Sequence, residues 1–383
     1  MLKKIINRIK EILITFIDLY KFKQLIATNN NKLNVFISHS ADGSGGAPVV
    51  LYELAKELNK SNDSKVVFLT HRNGNLVKLC KENNIEVFET FFLYRIYLIL
   101  LNKFYKDINF IVVNTIVNYS YLQYLEKLNY LGKVIWWVHE SKDLLVSYKK
   151  IIRKYNLPCF KICCVSNNII NNIIQLTNLS ASDLRLLPYG INDNGILPEK
   201  KREKIFNISI IGRLSERKNQ LELIQAYKIL PSILKNNIKI NIVAGSYDIN
   251  YLEKLKKAIT NCTNINICNP IPRDQMKKVY ENSDLIVCTS KDDPLPVVVT
   301  EAMMYGKLFI TSNKTGQASF IKNKYNGYIY NRGDVKFLSE FIKDCFLNYT
   351  KYNVIRYKTR ELYLKTFSLQ GVHSSLKDIV EKM

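Results

Sequence analysis

The chain has little that would make it a metal or disulfide protein. Its eight cysteines, at 80, 159, 163, 164, 262, 268, 288 and 345, form no CxxC pair and no His–Cys spacing suited to zinc. Several lie inside apolar runs, where cysteine acts as a small buried hydrophobe, so a reducing compartment without a disulfide framework is expected. Glycine and proline are limited to 14 and 9 of 383 residues beside 47% hydrophobic content, which excludes a disordered chain. No uncharged apolar run in the N-terminal region approaches the roughly 20 residues that a membrane span needs, and nothing there resembles a signal cleavage site. Internal repeats at solenoid period and low-complexity tracts are also missing. Acidic residues are the remaining shortage: 33 Asp and Glu stand against 56 Lys and Arg, a net charge of +23.

That excess calls for an acidic partner, which nucleic acid, an anionic membrane surface or phosphorylated substrates would each supply. The bases are spread along the chain without an RNA- or DNA-binding signature, so no nucleic-acid partner is expected. Residues 2–26 sharpen the choice. Leu2, Ile5, Ile6, Ile9, Ile12, Leu13, Phe16, Ile17 and Tyr20 fall on one helical stripe, with Lys3, Lys4, Arg8 and Lys10 off it. Two readings stand: a helix packed on the first domain, or a helix lying in an anionic membrane interface.

At this length two domains are the natural expectation. From residue 32 onward, apolar runs of strand length alternate with helical patterns, which means α/β units and parallel sheets. The expected strands of the first half are 32–38, 65–70, 86–90, 110–114, 132–139 and 161–166, with helices near 48–58, 75–82, 117–130 and 167–176. Residues 91–104 (FFLYRIYLILLNKF) are strongly apolar and read as core, with a second membrane-facing patch as the alternative. A Pro188–Gly190 turn and a polar run from 198 mark the junction of the halves. The second half repeats the rhythm, with strands at 206–212, 238–245, 264–267, 285–288 and 307–311 and helices at 249–259 and 274–282. Helices fill 335–383.

Four stretches at strand ends carry candidate chemistry. Strand 32–38 runs into a glycine-rich turn (HSADGSGGA) before a helix, where exposed backbone N–H groups suit a phosphate. It is not the dinucleotide fingerprint, since the sixth position from Gly43 is Pro48. Nor is Gly306-Lys307 a Walker A motif, lacking the upstream glycine and the Ser/Thr. Strand 134–138 (VIWWV) ends in His139-Glu140, and HExxH spacing is absent because position 143 is Asp. The turn after 206–212 (RLSERKNQ) places Arg213 and Lys218 at a helix N-terminus, where a diphosphate would meet two cations; pairing with Glu216 or Glu222 is the alternative. Residues 284–309 (DLIVCTSKDDPLPVVVTEAMMYGKLF) read as strand, acidic loop, helix over 297–305 with a stop at Gly306, and strand. Asp293 and Glu301 have seven residues between them, an acidic pair able to accept hydrogen bonds from sugar hydroxyls. The plainer reading makes Asp293 a helix cap and Glu301 a solvated helix residue.

Taken together, the motifs resemble the retaining GT-B glycosyltransferases of family-4 type. G-G-A, H-E, G-R-L-x-x-x-K and D-x7-E-A-M occur in the family's order, and the likeness runs over about residues 33–370. The resemblance implies an α/β fold of GT-B architecture, with two Rossmann-like parallel-sheet domains facing each other across a cleft. The expected division is an amphipathic helix in 1–30, an acceptor-side domain in 31–193, a nucleotide-sugar domain in 194–350, and helices returning to the first domain in 351–383. By the same resemblance Gly45 and Gly46 lie beside donor phosphate and acceptor. His139 positions or polarises the reacting groups, with Glu140 a weaker candidate. Arg213 and Lys218 hold the donor diphosphate, Asp293 contacts the donor sugar and Glu301 binds the nucleotide ribose. Leu295, Pro296 and Val297 line the donor between those acids. The Asp at 293 departs from the family's usual Glu by one methylene, which bears on the donor sugar.

The expected activity is transfer of a sugar from a UDP- or GDP-sugar to a saccharide acceptor, lipid-linked, in cell-surface polysaccharide assembly, with retention and without a metal or other cofactor. The expected location is cytoplasmic, at the inner face of the cytoplasmic membrane. A catalytically silent basic α/β protein that binds membrane or nucleic acid is the alternative, and it leaves the four motifs unexplained.

Overall fold

The computed structural model describes residues 2–28, 31–41, 46–60, 64–71, 74–90, 93–198 and 203–383. They divide into two compact units, Met1–Gly190 with Leu369–Met383, and Ile191–Ser368. In the first unit, strands β1 (Lys32–Ser38), β2 (Ser64–Thr70), β3 (Glu86–Glu89), β4 (Ile108–Asn114), β5 (Lys133–Val138), β6 (Cys159–Cys164) and β7 (Leu184–Leu186) form a sheet in the order β3-β2-β1-β4-β5-β6-β7. In the second, β8 (Phe206–Ile211), β9 (Ile238–Val243), β10 (Ile265–Cys268), β11 (Leu285–Cys288), β12 (Phe309–Ser312) and β13 (Tyr328–Tyr330) follow the order β10-β9-β8-β11-β12-β13.

Every pairing within these sheets is parallel. Helices cover the faces, which is why the strands read as unbroken apolar runs rather than as alternation. The first unit holds α1 (Leu2–Thr28), α2 (Gly46–Leu58), α3 (Asn75–Glu82), α4 (Tyr94–Lys103), α5 (Tyr119–Lys127), α6 (Lys142–Ser147) and α7 (Asn167–Leu176). The second holds α8 (Gln220–Lys228), α9 (Ser232–Lys235), α10 (Ile249–Ile259), α11 (Met276–Asn282), α12 (Val297–Met304), α13 (Val335–Leu347) and α14 (Asn353–Leu362). The C-terminal α15 (Leu369–Glu381) belongs to the first unit, where Lys133 donates to the Val380 carbonyl at 2.6 Å.

Strand order reverses between β1 and β4 in one sheet and between β8 and β11 in the other. Ligands of doubly wound sheets bind outside the strand C-termini at such a switch point. In β5, Trp136 and Trp137 are fully enclosed, and their indole N–H groups donate to the carbonyls of Thr115 and Leu187, each at 2.8 Å. A buried indole keeps its place by such a bond.

Two expectations change. The helix read over 117–130 is a 3-10 turn, Ile116–Asn118, followed by the shorter α5. Residues 351–383 divide, because α14 stays in the second unit: Arg356 and Arg360 donate to the carbonyls of Gly306 and Met304 at 2.8 and 2.6 Å, covering the open end of α12. Helix α1 forms and packs on the first unit through Thr15, Phe22 and Ile26, with Phe22 against the rings of Phe88 and Tyr97. At about 100° per residue that face is turned away from the apolar stripe. Phe16, Ile17 and Tyr20 of the stripe are exposed.

The glycine stop at 306 is required by conformation. Gly306 has φ +63, and a Cβ there would meet Ile196 at 2.9 Å and the Arg356 carbonyl at 3.4 Å. Gly306→Ala should cost about 1–3 kcal/mol. In a unit of this size that lowers Tm by roughly 2–4 °C per kcal/mol, readable by calorimetry.

Candidate active site

In the second unit the site grows from three loops that leave the C-terminal ends of β8, β11 and β12. The first turns at Gly212, whose φ of +144 favours glycine and past which the stem of Lys218 runs. It ends at Asn219, a left-handed residue that opens α8. The second loop is tied to the first: Lys291 N–H donates to the Arg217 carbonyl at 2.8 Å, and the Thr289 hydroxyl lies 3.0 and 2.8 Å from the carbonyls of Lys218 and Asn219. The third loop is tied to the second by Asp293 N–H to the Lys314 carbonyl, 3.1 Å, and by Gly316 N–H to the Asp293 carbonyl, 2.9 Å. Gln317, wholly buried, then donates to the Pro296 carbonyl and lies 2.9 Å from the Thr300 hydroxyl, pinning the first turn of α12.

Onto this frame the side chains converge. Lys218 Nζ donates to Asp293 Oδ2 at 2.6 Å, and Arg217 reaches the same oxygen at 3.3 Å while donating to the Asp292 carbonyl at 3.1 Å. Asp293 is 7% exposed, so a carboxylate that would be costly if unpaired lies against two cations. It caps no helix: Pro296 stands at the N-cap of α12, and no side chain accepts there. Nor do Glu216 and Glu222 absorb the clamp cations. Glu216 pairs with Lys254 and Lys291, while Glu222 accepts from Asn219 and from Gly333 N–H. Arg213 is exposed beyond β8. Leu295 and Pro296 are buried, and Val297, partly buried, begins α12.

Glu301 is not a solvated helix residue. Residues 298–304 of α12 are all buried, and Glu301 is 5% exposed. Its Oε2 accepts from the Tyr280 hydroxyl at 2.5 Å, and its Oε1 pairs with the Arg273 guanidinium. Arg217, Arg273, Tyr280 and Gln317 are site residues that the motif spacing missed. Among the described residues no group of three or more His, Cys, Asp or Glu is placed to hold a metal ion.

The first unit carries the remaining candidates. His139 follows β5, its ring 4.5 Å from Trp137 and stacked at 6.4 Å on Tyr189. Its Nε2 is buried with no hydrogen-bond partner among the described residues, and burial lowers its pKa to about 3, so the imidazole is neutral near pH 7. Glu140 serves the backbone: its oxygens accept from Ile116 N–H and His139 N–H, each at 2.8 Å. The residue before Ile116 is Thr115, held at φ +67 at the end of β4, a strained place for a β-branched side chain. Glu140 therefore fastens that strained turn to the end of β5. Gly46 opens α2 with open space where a Cβ would stand, and Gly45 lies outside the described residues.

Burial raises the Glu140 pKa to about 7, against the backbone donors of Ile116, His139 and Glu140 itself that pull it down. A raised carboxyl pKa means that the folded state holds the proton more tightly than the unfolded one. The contribution to stability is therefore full below about pH 4.5 and is lost as pH rises through about 7. His139 works oppositely, its contribution being complete above about pH 6.5 and lost as pH falls toward about 3. The Tm advantage of the wild type over Glu140→Gln should therefore be larger at about pH 5 than at about pH 8. An advantage independent of pH would contradict the assignment.

Two family models match the chain: "Glycosyl-transferase family 4" over residues 30–178 and "Glycosyl transferases group 1" over residues 195–362. The lipopolysaccharide 1,2-N-acetylglucosaminetransferase of Salmonella typhimurium is 31% identical over 128 residues, 30% of this chain and 32% of that protein. The capsular polysaccharide biosynthesis glycosyltransferase CapM of Staphylococcus aureus is 24% identical over 237 residues, 57% of this chain and 60% of that protein. The chain thus spans from 32% to 60% of the length of these two curated relatives. Among solved structures, HepE of Anabaena in complex with UDP aligns with a TM-score of 0.74 at 16% identity, covering 92% of this chain and 100% of that one, a likeness of fold alone. With the sheet of each unit matched by a family model and the GT-B architecture shared along nearly its whole length, the chain belongs to the group 1 glycosyltransferases.

Proposed function

We propose that the chain is a retaining glycosyltransferase that moves a sugar from a UDP- or GDP-sugar to a lipid-linked saccharide in cell-surface polysaccharide assembly. The observation that carries this reading is the convergence of Lys218 and Arg217 on Asp293 at the switch point of the second sheet. The donor diphosphate lies against the turn after β8, where Arg213 and Lys218 offset the charge that grows on the leaving nucleoside diphosphate. Asp293 orients the sugar hydroxyls, Glu301 takes the ribose diol, and Leu295, Pro296 and Val297 line the donor between them. The names of the Salmonella and Staphylococcus relatives support the polysaccharide reading, and the UDP held by HepE supports a UDP donor.

The step is a front-face substitution. The acceptor hydroxyl oxygen bonds to the anomeric carbon on the face from which the diphosphate departs, as the bond from that carbon to the phosphate oxygen breaks. The hydroxyl proton passes to the departing phosphate. His139, neutral, acts as a hydrogen-bonding group that positions the reactants and supplies no positive charge. Because side-chain cations meet the leaving group, the reaction needs no metal.

Peripheral attachment to the inner face of the cytoplasmic membrane accompanies this reading. It is supported by the exposed Phe16, Ile17 and Tyr20 on α1 and by the net charge of +23. Among the described residues no helix is long and apolar enough to cross a membrane.

Thermal unfolding with UDP, GDP and ADP, beside NAD and a short oligonucleotide, tests the class. One diphosphate at ~100-fold its Kd should stabilise the protein by about 2.7 kcal/mol, an effect absent in Glu301→Ala. Sugar transfer from that donor should persist in EDTA. A response to the oligonucleotide alone would overturn the enzyme reading, and turnover restored only by Mg²⁺ or Mn²⁺ would overturn the metal-free step. For the membrane, replacing Phe16, Ile17 and Tyr20 together by Ser should cut sedimentation with phosphatidylglycerol vesicles at least about tenfold, given the apolar area removed. Undiminished sedimentation would sink that attachment.

A further inference from the structure

The Glu301 carboxylate is gripped from two sides by groups of opposite character. Tyr280, in α11, is completely buried, its ring 5.0 Å from that of Tyr305. Burial, then the adjacent Glu301 charge, pushes its phenol well above the ordinary range, so the hydroxyl remains a donor to Oε2. Arg273 comes from the surface. It follows Pro272 at the 3-10 turn that precedes α11, and its side chain is 71% exposed where that of Glu301 is 7%. Its guanidinium nevertheless pairs with Oε1.

An ionised carboxylate offers about four acceptor directions, two on each oxygen. Among the described residues Tyr280 occupies one on Oε2 and Arg273 one on Oε1, which leaves one direction on each oxygen. Two donors on neighbouring carbons, such as the hydroxyls of a cis-diol, fit that remainder. A Glu side chain free to rotate would have to be ordered by the ligand, at a cost to affinity; one already clamped does not. We propose that Tyr280 and Arg273 are positioning residues of the ribose subsite, aiming the two remaining lone-pair directions of Glu301 at the vicinal diol of the nucleotide. The inference rests on the assignment of Glu301 to the ribose under Proposed function.

The two residues differ in what they can tolerate. Tyr280→Phe keeps the buried ring and removes only the donor. Arg273→Ala alters a surface side chain, so the fold survives it, and Arg273→Lys keeps the charge without the planar fork.

Titration calorimetry with UDP and GDP, each beside its 2′-deoxy form, reads the subsite directly. The wild type should prefer the ribonucleotide by about tenfold or more, the scale of one hydrogen bond to a charged acceptor. In Tyr280→Phe and Arg273→Ala that preference should fall to about twofold, while affinity for the 2′-deoxy form stays within about twofold of the wild type. Arg273→Lys should recover part of the preference. A merely structural role would lower both affinities together and leave their ratio unchanged, and that result would overturn the inference. If Tyr280→Phe does not fold, Arg273→Ala decides alone. A ratio retained in Glu301→Gln would overturn the ribose assignment itself, and this inference with it. A ratio lost in Glu301→Gln but kept in both positioning variants would overturn only the clamp.

Discussion

A carboxylate removed from water must be met by a cation or by hydrogen-bond donors, and the second unit meets that demand at both of its site acids. Helix α12 is enclosed almost all round, so Glu301 has no solvated side to turn toward. Asp293 is nearly as enclosed on its loop. Each acid therefore imposes a partner: Lys218 and Arg217 for Asp293, Arg273 and Tyr280 for Glu301. Lys218 is the most enclosed of the cations, so its removal would strand the Asp293 charge most, whereas the guanidiniums of Arg217 and Arg273 stay largely in water. The turn after β8, the loop after β11 and the segment before α11 are thus held in mutual register by charge as well as by backbone bonds. The first two line the switch point of the sheet, while the segment before α11 follows the edge strand β10 and reaches α12 through Arg273.

The same pairs explain how a site can be ready before its substrate arrives. Lys218 lies within 2.6 Å of Asp293, so its ammonium group is already oriented and partly desolvated. In the proposed reaction the charge that appears on the leaving diphosphate meets a fixed cation and requires little rearrangement at the moment of bond breaking. Arg217, pinned to the Asp292 carbonyl as well as to Asp293, stiffens the same corner. In the first unit, burial strips His139 of its charge near neutral pH, which confines it to hydrogen bonding. The electrostatic work of the proposed transfer accordingly falls on the second unit.

Much of this was legible in the sequence because strand ends announce themselves. The apolar runs ending at Ile211 and Cys288 stop at turn residues, and Gly306 halts α12 with the positive φ that its neighbours cannot easily adopt. Lys218 and Asp293, each a few residues past such a boundary, meet in the structure, whereas Arg213 stays exposed. Arg273 and Tyr280 could not be found that way. They meet Glu301 from 28 and 21 residues away, through a pairing that the packing of α11 beside α12 creates and no local spacing encodes. Arg217 was hidden by its neighbour Lys218, because a motif that names two cations says nothing of a third whose direction depends on the left-handed turn at Asn219. Glu140 shows the converse case: a carboxylate beside a candidate histidine reads as chemistry, and here each of its oxygens also accepts a backbone N–H at a strained turn.

Helix α1 illustrates a limit of pattern reading in general. Periodicity shows that a helix has an apolar side but not which side faces the protein, and the usual assumption is that the apolar side faces inward. Among the described side chains the docking face is made by Thr15, Phe22 and Ile26, with Asp18 accepting from the Glu89 N–H at 3.4 Å. A few well-fitted contacts, chief among them Phe22 between Phe88 and Tyr97, anchor the C-terminal part of the helix. The exposed Phe16, Ile17 and Tyr20 then pose a question of their own, since water is a poor neighbour for three large side chains on consecutive turns. A second copy of this chain would bring another +23 against the first, whereas an anionic surface would be drawn to it. Charge and apolar exposure thus both support the membrane attachment proposed above, although neither would carry it alone.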